Sequence, residues 1–396
     1  MKSIFILGAS SLQIPAIKKA KERGLFVYTL DYDSNASGIK YADKFLEIST
    51  LDKEAIYEAA IEYNPDYIIT STSDMPVRTV SWVCEKLGKE TDISYQGAIY
   101  ATDKGEMRKR MKECGVKIPD FRIINSYDEF LECVSEMPDR FILKPADNSA
   151  SRGVVLVDKR KDDNYLTLYS YCLQYSRNKK VLIEEYMTGP EVSVECFTVN
   201  GETSVITITD KIVSEIPYFV ELGHTEPSSL SKDIQDDIIN VAMDAIKAIG
   251  IKNGPSHTEI KVTPNGAKLV EVAARLGGDY ITSKLVPLST GIDMIDCSYD
   301  ILLNKNVNLK KTKSIGAAIR FIHGNDVVLK KINGINNVKK MPGIQEVCIY
   351  KKVGDVINSP KNSGDRVGHV ITIGLNSIEA AYNAEEAIKE IIIDYE

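Results

Sequence analysis

The chain holds few of the patterns on which metal–thiolate, hydrolytic or redox chemistry depends. Its seven cysteines stand at positions 84, 114, 133, 172, 196, 297 and 348, and no two are in C-x-x-C spacing. That excludes zinc ribbons and thioredoxin-like sites, and an odd number of scattered thiols suits a reducing, cytoplasmic compartment. None of the four histidines is in H-E-x-x-H spacing. No apolar run reaches the ~18–20 residues of a membrane span. Basic residues are not in excess, since 49 Lys and Arg against 56 Asp and Glu leave a net charge of −7. Phosphate contacts need a basic surface, so sequence-independent nucleic-acid binding is disfavoured. Internal repeats, Pro-rich linkers and low-complexity tracts are absent as well. With 396 residues, 43% of them hydrophobic and 27% charged, the chain reads as roughly two to four folded domains. The start, MKSIFILGAS, has no signal-peptide cleavage pattern and reads as a first strand.

Residues 1–100 alternate apolar runs with helix-period segments: KSIFILG, LQIPAIKKAKERG, LFVYTLD, DKEAIYEAAIEY, DYIIT and PVRTVSWVCEKLG. Repeated β–α units predict a parallel, Rossmann-like sheet with crossover helices. The first turn, GASSLQ, lacks the glycines of G-x-G-x-x-G, so a scaffold domain is favoured over a dinucleotide site with Asp31 on the ribose. From about residue 101 the pattern becomes α+β. TDKGEMRKRMKECG is a helix with a Thr102 or Asp103 cap and a Gly115 stop, and EVSVECFTV and TSVITITDKIV are long strands. DIQDDIINVAMDAIKAIG is an amphipathic helix, and SIEAAYNAEEAIKEII is a last one. The expected organisation is α/β and α+β: a domain over 1–100, a second over 101–310 in two α+β parts (101–190 and 191–310), and a small C-terminal α+β domain over 311–396.

The strongest chemical signal is a hairpin. Glu259 in SHTEIKV and Glu271 in KLVEVAAR flank the turn TPNG, and the midpoint of 259 and 271 is Asn265, inside that turn. A symmetric turn sets the two carboxylates opposite each other, with Cβ atoms about 4.5–5.5 Å apart. Such a pair is destabilising unless neutralised, and a hard divalent cation does that, because Mg²⁺ binds one or two carboxylates plus nucleotide phosphates. The period of two places His257, Glu259, Lys261, Leu269, Glu271, Ala273 and Arg275 on one face, and Ile260, Val262, Val270 and Val272 on a core face. The competing reading is a solvated hairpin with ordinary salt bridges.

Further elements bear on this one. Lys144 closes the strand RFILK, and the small, hydroxyl-rich loop ADNSASRGV follows. Backbone N–H groups, serine hydroxyls and Arg152 of such a loop can close over a triphosphate, although it is no Walker A loop. Lys104 stands at a helix start, where the macrodipole opposes it and a phosphate would explain it. The apolar strand VLIEEYMTGPE ends in Glu184, Glu185, Tyr186 and Met187. Its backbone could meet an adenine edge, with Glu191 accepting from ribose hydroxyls.

The ordered set TDKGEMRKRMKECGVKIP, FILKPADNSASRGV, VLIEEYMTGPE, GHTEPS, and HTEIK followed by VEVAARLGGD resembles the ATP-grasp superfamily of carboxylate–amine ligases. The resemblance spans roughly residues 1–300. It implies that Lys104 and Lys144 hold the ATP phosphates and that Ser149, Ser151, Arg152 and Gly153 belong to a mobile lid. It makes Glu184, Glu185, Tyr186 and Met187 the adenine hinge, Glu191 the ribose ligand, and Glu259 and Glu271 the Mg²⁺ ligands, with Mn²⁺ a possible substitute. Arg275 would hold the acyl phosphate, and His224, in YFVELGHTEPS, would line the acceptor pocket. Residues 1–100 look like the pre-ATP-grasp domain, and the last third looks like the closing domain of glycinamide-ribotide-synthetase-like and biotin-carboxylase-like members. Most relatives carry x-Asn after the second Glu as a further metal ligand; here that position is Ala273, as in a branch resembling the L-amino-acid ligases, which also carries E-x-A-A-R. The implied activity is ADP-forming ligation of a small carboxylate to an amine, with amino-acid-type substrates, no nucleic-acid or membrane partner, and a possible homodimer. A purine enzyme resembling glycinamide-ribotide synthetase, a half resembling carbamoyl-phosphate synthetase, a non-catalytic ATP-binding regulator and an NAD-dependent oxidoreductase stay open as alternatives.

Overall fold

The computed structural model describes residues 1–147, 152–214, 219–360 and 362–395. The β–α repeats of the first hundred residues form a parallel sheet. Its strands lie in the order Lys44–Glu47, Phe26–Asp31, Ser3–Leu7, Tyr67–Thr70. Ile4, Phe5, Ile6 and Leu7 are all fully buried. Ile4 and Ile6 join one core and Phe5 and Leu7 another, which is why this strand reads as a continuous apolar run. Both Asp31 carboxylate oxygens are engaged by the chain itself, accepting from the backbone amides of Ala9 and Asp33 at 2.8 and 3.1 Å. The turns leaving Ser3–Leu7 and Tyr67–Thr70 carry Leu12 and Asp74 toward a central cavity, as expected at the carboxyl ends of parallel strands.

Helix Tyr95–Thr102 runs across residue 100, and helix Lys104–Glu113 follows it directly with Asp103 as N-cap, accepting from Glu106 N at 3.0 Å. A four-stranded antiparallel sheet comes next, ordered Phe121–Ile124, Val181–Glu185, Arg140–Pro145, Val155–Asp158. Helices Tyr127–Glu136 and Tyr165–Gln174 cover it through a core containing Phe130, Phe141 and Tyr169.

The long strands of residues 191–273 belong to an eight-stranded antiparallel sheet. Its order is Gly266–Ala273, Gly254–Thr263, Glu191–Val199, Glu202–Val213, Glu221–Glu226, Gly316–Ile322, Gly368–Gly374, Ile344–Ile349. Helix Lys232–Ile249 packs its apolar stripe, from Ile238 to Ile249, on one face. The sheet does not break at residue 311, since Glu221–Glu226 pairs with Gly316–Ile322. The C-terminal region is therefore hydrogen-bonded into the sheet that carries the site, and it adds a small sheet of Val356–Ile357, Val327–Asn333 and Ile392–Tyr395. Among the described residues no helix is long and apolar enough to cross a membrane.

Candidate active site

The two antiparallel sheets and the parallel domain enclose a cavity of about 480 Å³. The hairpin supplies its floor. Glu259 pairs with Glu271, and His257 with Ala273, as the symmetric turn predicts. Closer to the turn the register slips by one residue, between Glu259 and Ile260. The bulge corrects two face assignments. Leu269, expected on the site face, is fully buried in the core, and Val270, expected in the core, lines the cavity. An extra residue on one strand reverses the alternation beyond it.

Register across the neighbouring strands sets polar side chains in rows. Lys261, Glu191 and Lys211 are mutual cross-strand partners, and so are Glu271, Glu259 and Ser193 in the next row, and Ala273, His257 and Glu195 in a third. Lys211 Nζ lies 2.7 Å from Glu191 and 3.1 Å from Glu259 Oε1, while Lys104 Nζ lies 2.6 Å from Glu271 Oε2. Each of the opposed carboxylates thus faces a lysine. Burial opposes ionisation of Glu259, yet Lys211 and His257 hold it well below the usual carboxylate range.

The opposite wall is a second ion cluster. Ile142 pairs with Glu184, which sets Lys144 diagonally beside that glutamate. Lys144 Nζ is 2.5 Å from Glu184 Oε2, and Arg108 Nε is 2.7 Å from Oε1. Arg108 stands one helical turn after Lys104, is fully buried, and also donates to the Val270 carbonyl at 2.8 Å. Burial pushes the Lys144 ammonium down to about 8 against the pull of Glu184. Glu184, which burial would raise, is held at about 2 by Arg108 and Lys144. Its side chain is thus paired with Lys144 and Arg108 at the cavity wall, which Glu185, Tyr186 and Met187 continue. The bend after Met187 needs Gly189, whose φ is +120° and where a Cβ would sit 1.9 Å from the Val262 carbonyl oxygen.

The third wall follows the hairpin. Arg275 Nε donates to Asp74 Oδ1 at 2.6 Å, tying the parallel domain to the site. Asp279 and Tyr280 both have left-handed backbones, with φ of 50° and 64°. Arg366 holds Asp279 with two hydrogen bonds of 2.7 Å, and the Tyr280 ring lies 4.6 Å from that of His369. His224, 1% exposed, sets Nε2 3.4 Å from Asp279 Oδ2.

Lys104, Lys144, Arg152, Glu184, Glu185, Tyr186, Met187, Glu191, His224, Glu259, Glu271 and Arg275 all line this one cavity. Ser149 and Ser151 lie outside the described residues. Gly153 is buried behind the wall, where a Cβ would meet Pro145 at 2.8 Å and Tyr175 at 2.9 Å. Sequence reasoning does not single out Arg108, Lys211, Glu195, Asp74 or Arg366. The alternation in EVSVE does put Glu195 on the face of Glu191, and the i,i+4 spacing puts Arg108 on the face of Lys104; the others are brought in by distant chain segments.

Among the described residues no three His, Cys, Asp or Glu side chains converge as a metal cage. The donor set is two opposed carboxylates, which fits a Mg²⁺ ion completed by phosphate and water oxygens and not one held by protein alone.

Models of two families match the chain: the ATP-grasp domain over residues 137–283, and the L-amino acid ligase C-terminal domain 2 over residues 320–396. The alanine–anticapsin ligase of Bacillus subtilis (strain 168) is 27% identical over 270 residues, 63% of this chain. The chain spans 56% of that ligase's length, little more than half. The crystal structure of an L-amino acid ligase from Bacillus licheniformis superposes with a TM-score of 0.83 at 20% identity, covering 100% of this chain and 99% of that one. The biotin carboxylase domain of a Hydrogenobacter thermophilus 2-oxoglutarate carboxylase, solved with MgADP, ADP and bicarbonate, superposes with a TM-score of 0.76 at 17% identity, covering 100% and 91%. Residues 137–283 thus match an ATP-grasp domain and residues 320–396 a C-terminal domain of the L-amino acid ligase type, and over these segments the chain is ATP-grasp-like and L-amino-acid-ligase-like.

Proposed function

We propose that the chain is a cytoplasmic Mg²⁺/ATP-dependent ligase that joins the carboxylate of one amino-acid-type substrate to the amine of another. The observation that carries this is the single cavity in which two opposed glutamates face a wall of buried cations, with a hinge at one end and the Arg275–Asp279 segment at the other. Phosphoryl transfer depends on positioning and charge neutralisation, and the residue types here are suited to that. Lys104 and Lys144 would hold the phosphates, with Arg108 and Glu184 fixing Lys144. Glu185, Tyr186 and Met187 would face the adenine, and Glu191, held by Lys211 and Lys261, would face the ribose. Glu259 and Glu271 would hold Mg²⁺, which when bound neutralises phosphate charge.

A substrate carboxylate oxygen attacks the γ-phosphorus and ADP leaves, giving an acyl phosphate. The deprotonated amine then attacks the acyl carbon, and inorganic phosphate leaves with the bonding electrons. Arg275, steadied by Asp74, would carry the charge of the acyl phosphate. His224, Glu221 and Asp279 would line the amine end, where carboxylates suit an ammonium group. Enclosure matters because acyl phosphates hydrolyse in water.

The test is phosphate release from Mg²⁺/ATP across amino acids offered singly and in pairs. Release with a particular pair would establish the ligase and name its substrates. ATP binding without release for any pair would favour the purine-type or regulatory readings, the latter motivated by Ala273.

A further inference from the structure

Beside the floor carboxylates lies a pair that the mechanism leaves unused. Glu195 is fully buried, and its Oε1 is 2.6 Å from His257 Nδ1. His257 Nε2 lies 3.4 Å from Glu259 Oε1. Across the hairpin His257 faces Ala273, which offers no polar atom. The other carboxylate oxygen, Glu195 Oε2, has no hydrogen-bond partner among the described residues. Gly277 closes over the pair: a Cβ there would be 2.8 Å from Glu195 Oε2 and 2.9 Å from His257 Nδ1. A fully buried carboxylate is costly, and an apolar pair of similar volume would hold three packed strands at least as well. The arrangement therefore needs a reason besides packing.

We propose that Glu195 and His257 are positioning residues for Glu259: Glu195 fixes the imidazole, and the imidazole fixes the plane of the glutamate that receives the metal–nucleotide. This rests on the reading of Glu259 and Glu271 as Mg²⁺ ligands. His257 and Lys211 approach the same oxygen, Oε1, at 3.4 and 3.1 Å, so the carboxylate is held from two sides. Outer partners that hydrogen-bond and orient metal ligands are typically worth about 10–100-fold in affinity. Through Gly277 the pair also supports the backbone between Arg275 and Asp279, so the metal floor and the substrate wall share one buttress.

The experiment is a Mn²⁺ titration followed by electron paramagnetic resonance, with ADP bound to the full chain. Wild type is compared with Glu195→Gln, His257→Ala and His257→Gln, and melting temperatures are recorded in parallel. Glu195→Gln and His257→Ala should raise the Mn²⁺ Kd about 10-fold or more. His257→Gln keeps an amide that can donate to Glu259 and should restore most of the affinity, to within about 3-fold of wild type. Metal-free ADP affinity should not change. Variants with wild-type Mn²⁺ affinity, whatever their melting temperature, would overturn the positioning role alone. A wild-type chain that binds no Mn²⁺ with ADP would overturn the metal–nucleotide reading and this inference with it. If Glu195→Gln does not fold, the contrast between the Ala and Gln variants at 257 decides.

Discussion

Arg366 and Asp279 meet as fork and carboxylate: Nη1 and Nη2 each donate to one Oδ atom at 2.7 Å. The arginine also donates to the Glu221 carbonyl at 3.0 Å and lies over the Phe321 ring at 3.6 Å. It thereby fastens the C-terminal region to the wall of the cavity and holds a residue with a left-handed backbone in place.

Arg366→Lys should be more disruptive than its charge suggests, because an ammonium cannot form two parallel hydrogen bonds. With Asp279 partly exposed, a loss of about 1–2 kcal/mol is expected. If the chain ligates amino acids as proposed, the apparent KM for the amino-acid substrate should rise several-fold and that for ATP should change little. Urea unfolding and initial-rate kinetics check both, and an unchanged substrate KM would show that Arg366 does not position Asp279 for the substrate.

Arg108→Met tests a side chain with no access to solvent. It leaves Glu184 with Lys144 alone and orphans the Val270 carbonyl. A loss of about 2–3 kcal/mol is expected, together with weaker ATP binding as Lys144 loses its orientation. Denaturant titration and nucleotide binding measure the two effects.

Lys144 predicts a pH signature. Its folded pKa, lowered by burial to about 8, lies below the ordinary value of 10.5. Between those values the unfolded chain binds more protons at this site, so the contribution of Lys144 to stability rises with pH from about 8 to 10.5. A phosphate arriving at Lys144 would restore the proton. Binding of ATP near pH 8 should therefore take up a fraction of a proton, seen as a buffer-dependent enthalpy in calorimetry. At pH 6.5, and in Lys144→Met, that uptake should vanish, and the variant should also need much more ATP. Uptake unaltered in the variant would refute the assignment.

Glu271→Gln removes one of the two opposed carboxylates and the ion pair to Lys104. ADP formation should fall by at least about 100-fold, since a direct ligand should count for more than an outer partner. The fold should persist, because repulsion at the hairpin is relieved at the same time. Turnover near wild type, with an unaltered circular dichroism spectrum, would refute the metal role.

Local pattern alone reached a good part of this protein. The β–α repeats of residues 1–100 and the opposition of Glu259 to Glu271 follow from periods of 3.6 and 2, and a strand pair with a short turn leaves little freedom of register. The residues of the two lysine positions, the hinge and the hairpin could be named because each sits inside a short ordered motif. What the periodicity could not supply begins at the bulge, where one added residue moved Leu269 into the core and Val270 into the cavity. The partners that set the electrostatics were equally out of reach. Arg108 meets Glu184 across 76 residues and Val270 across 162, and Arg275 meets Asp74 across 201. Pairings over such distances carry no local signal. Only the assembled sheets decide which charge faces which, and among buried groups such as Lys144, Glu184 and Glu259 that choice sets the ionisation.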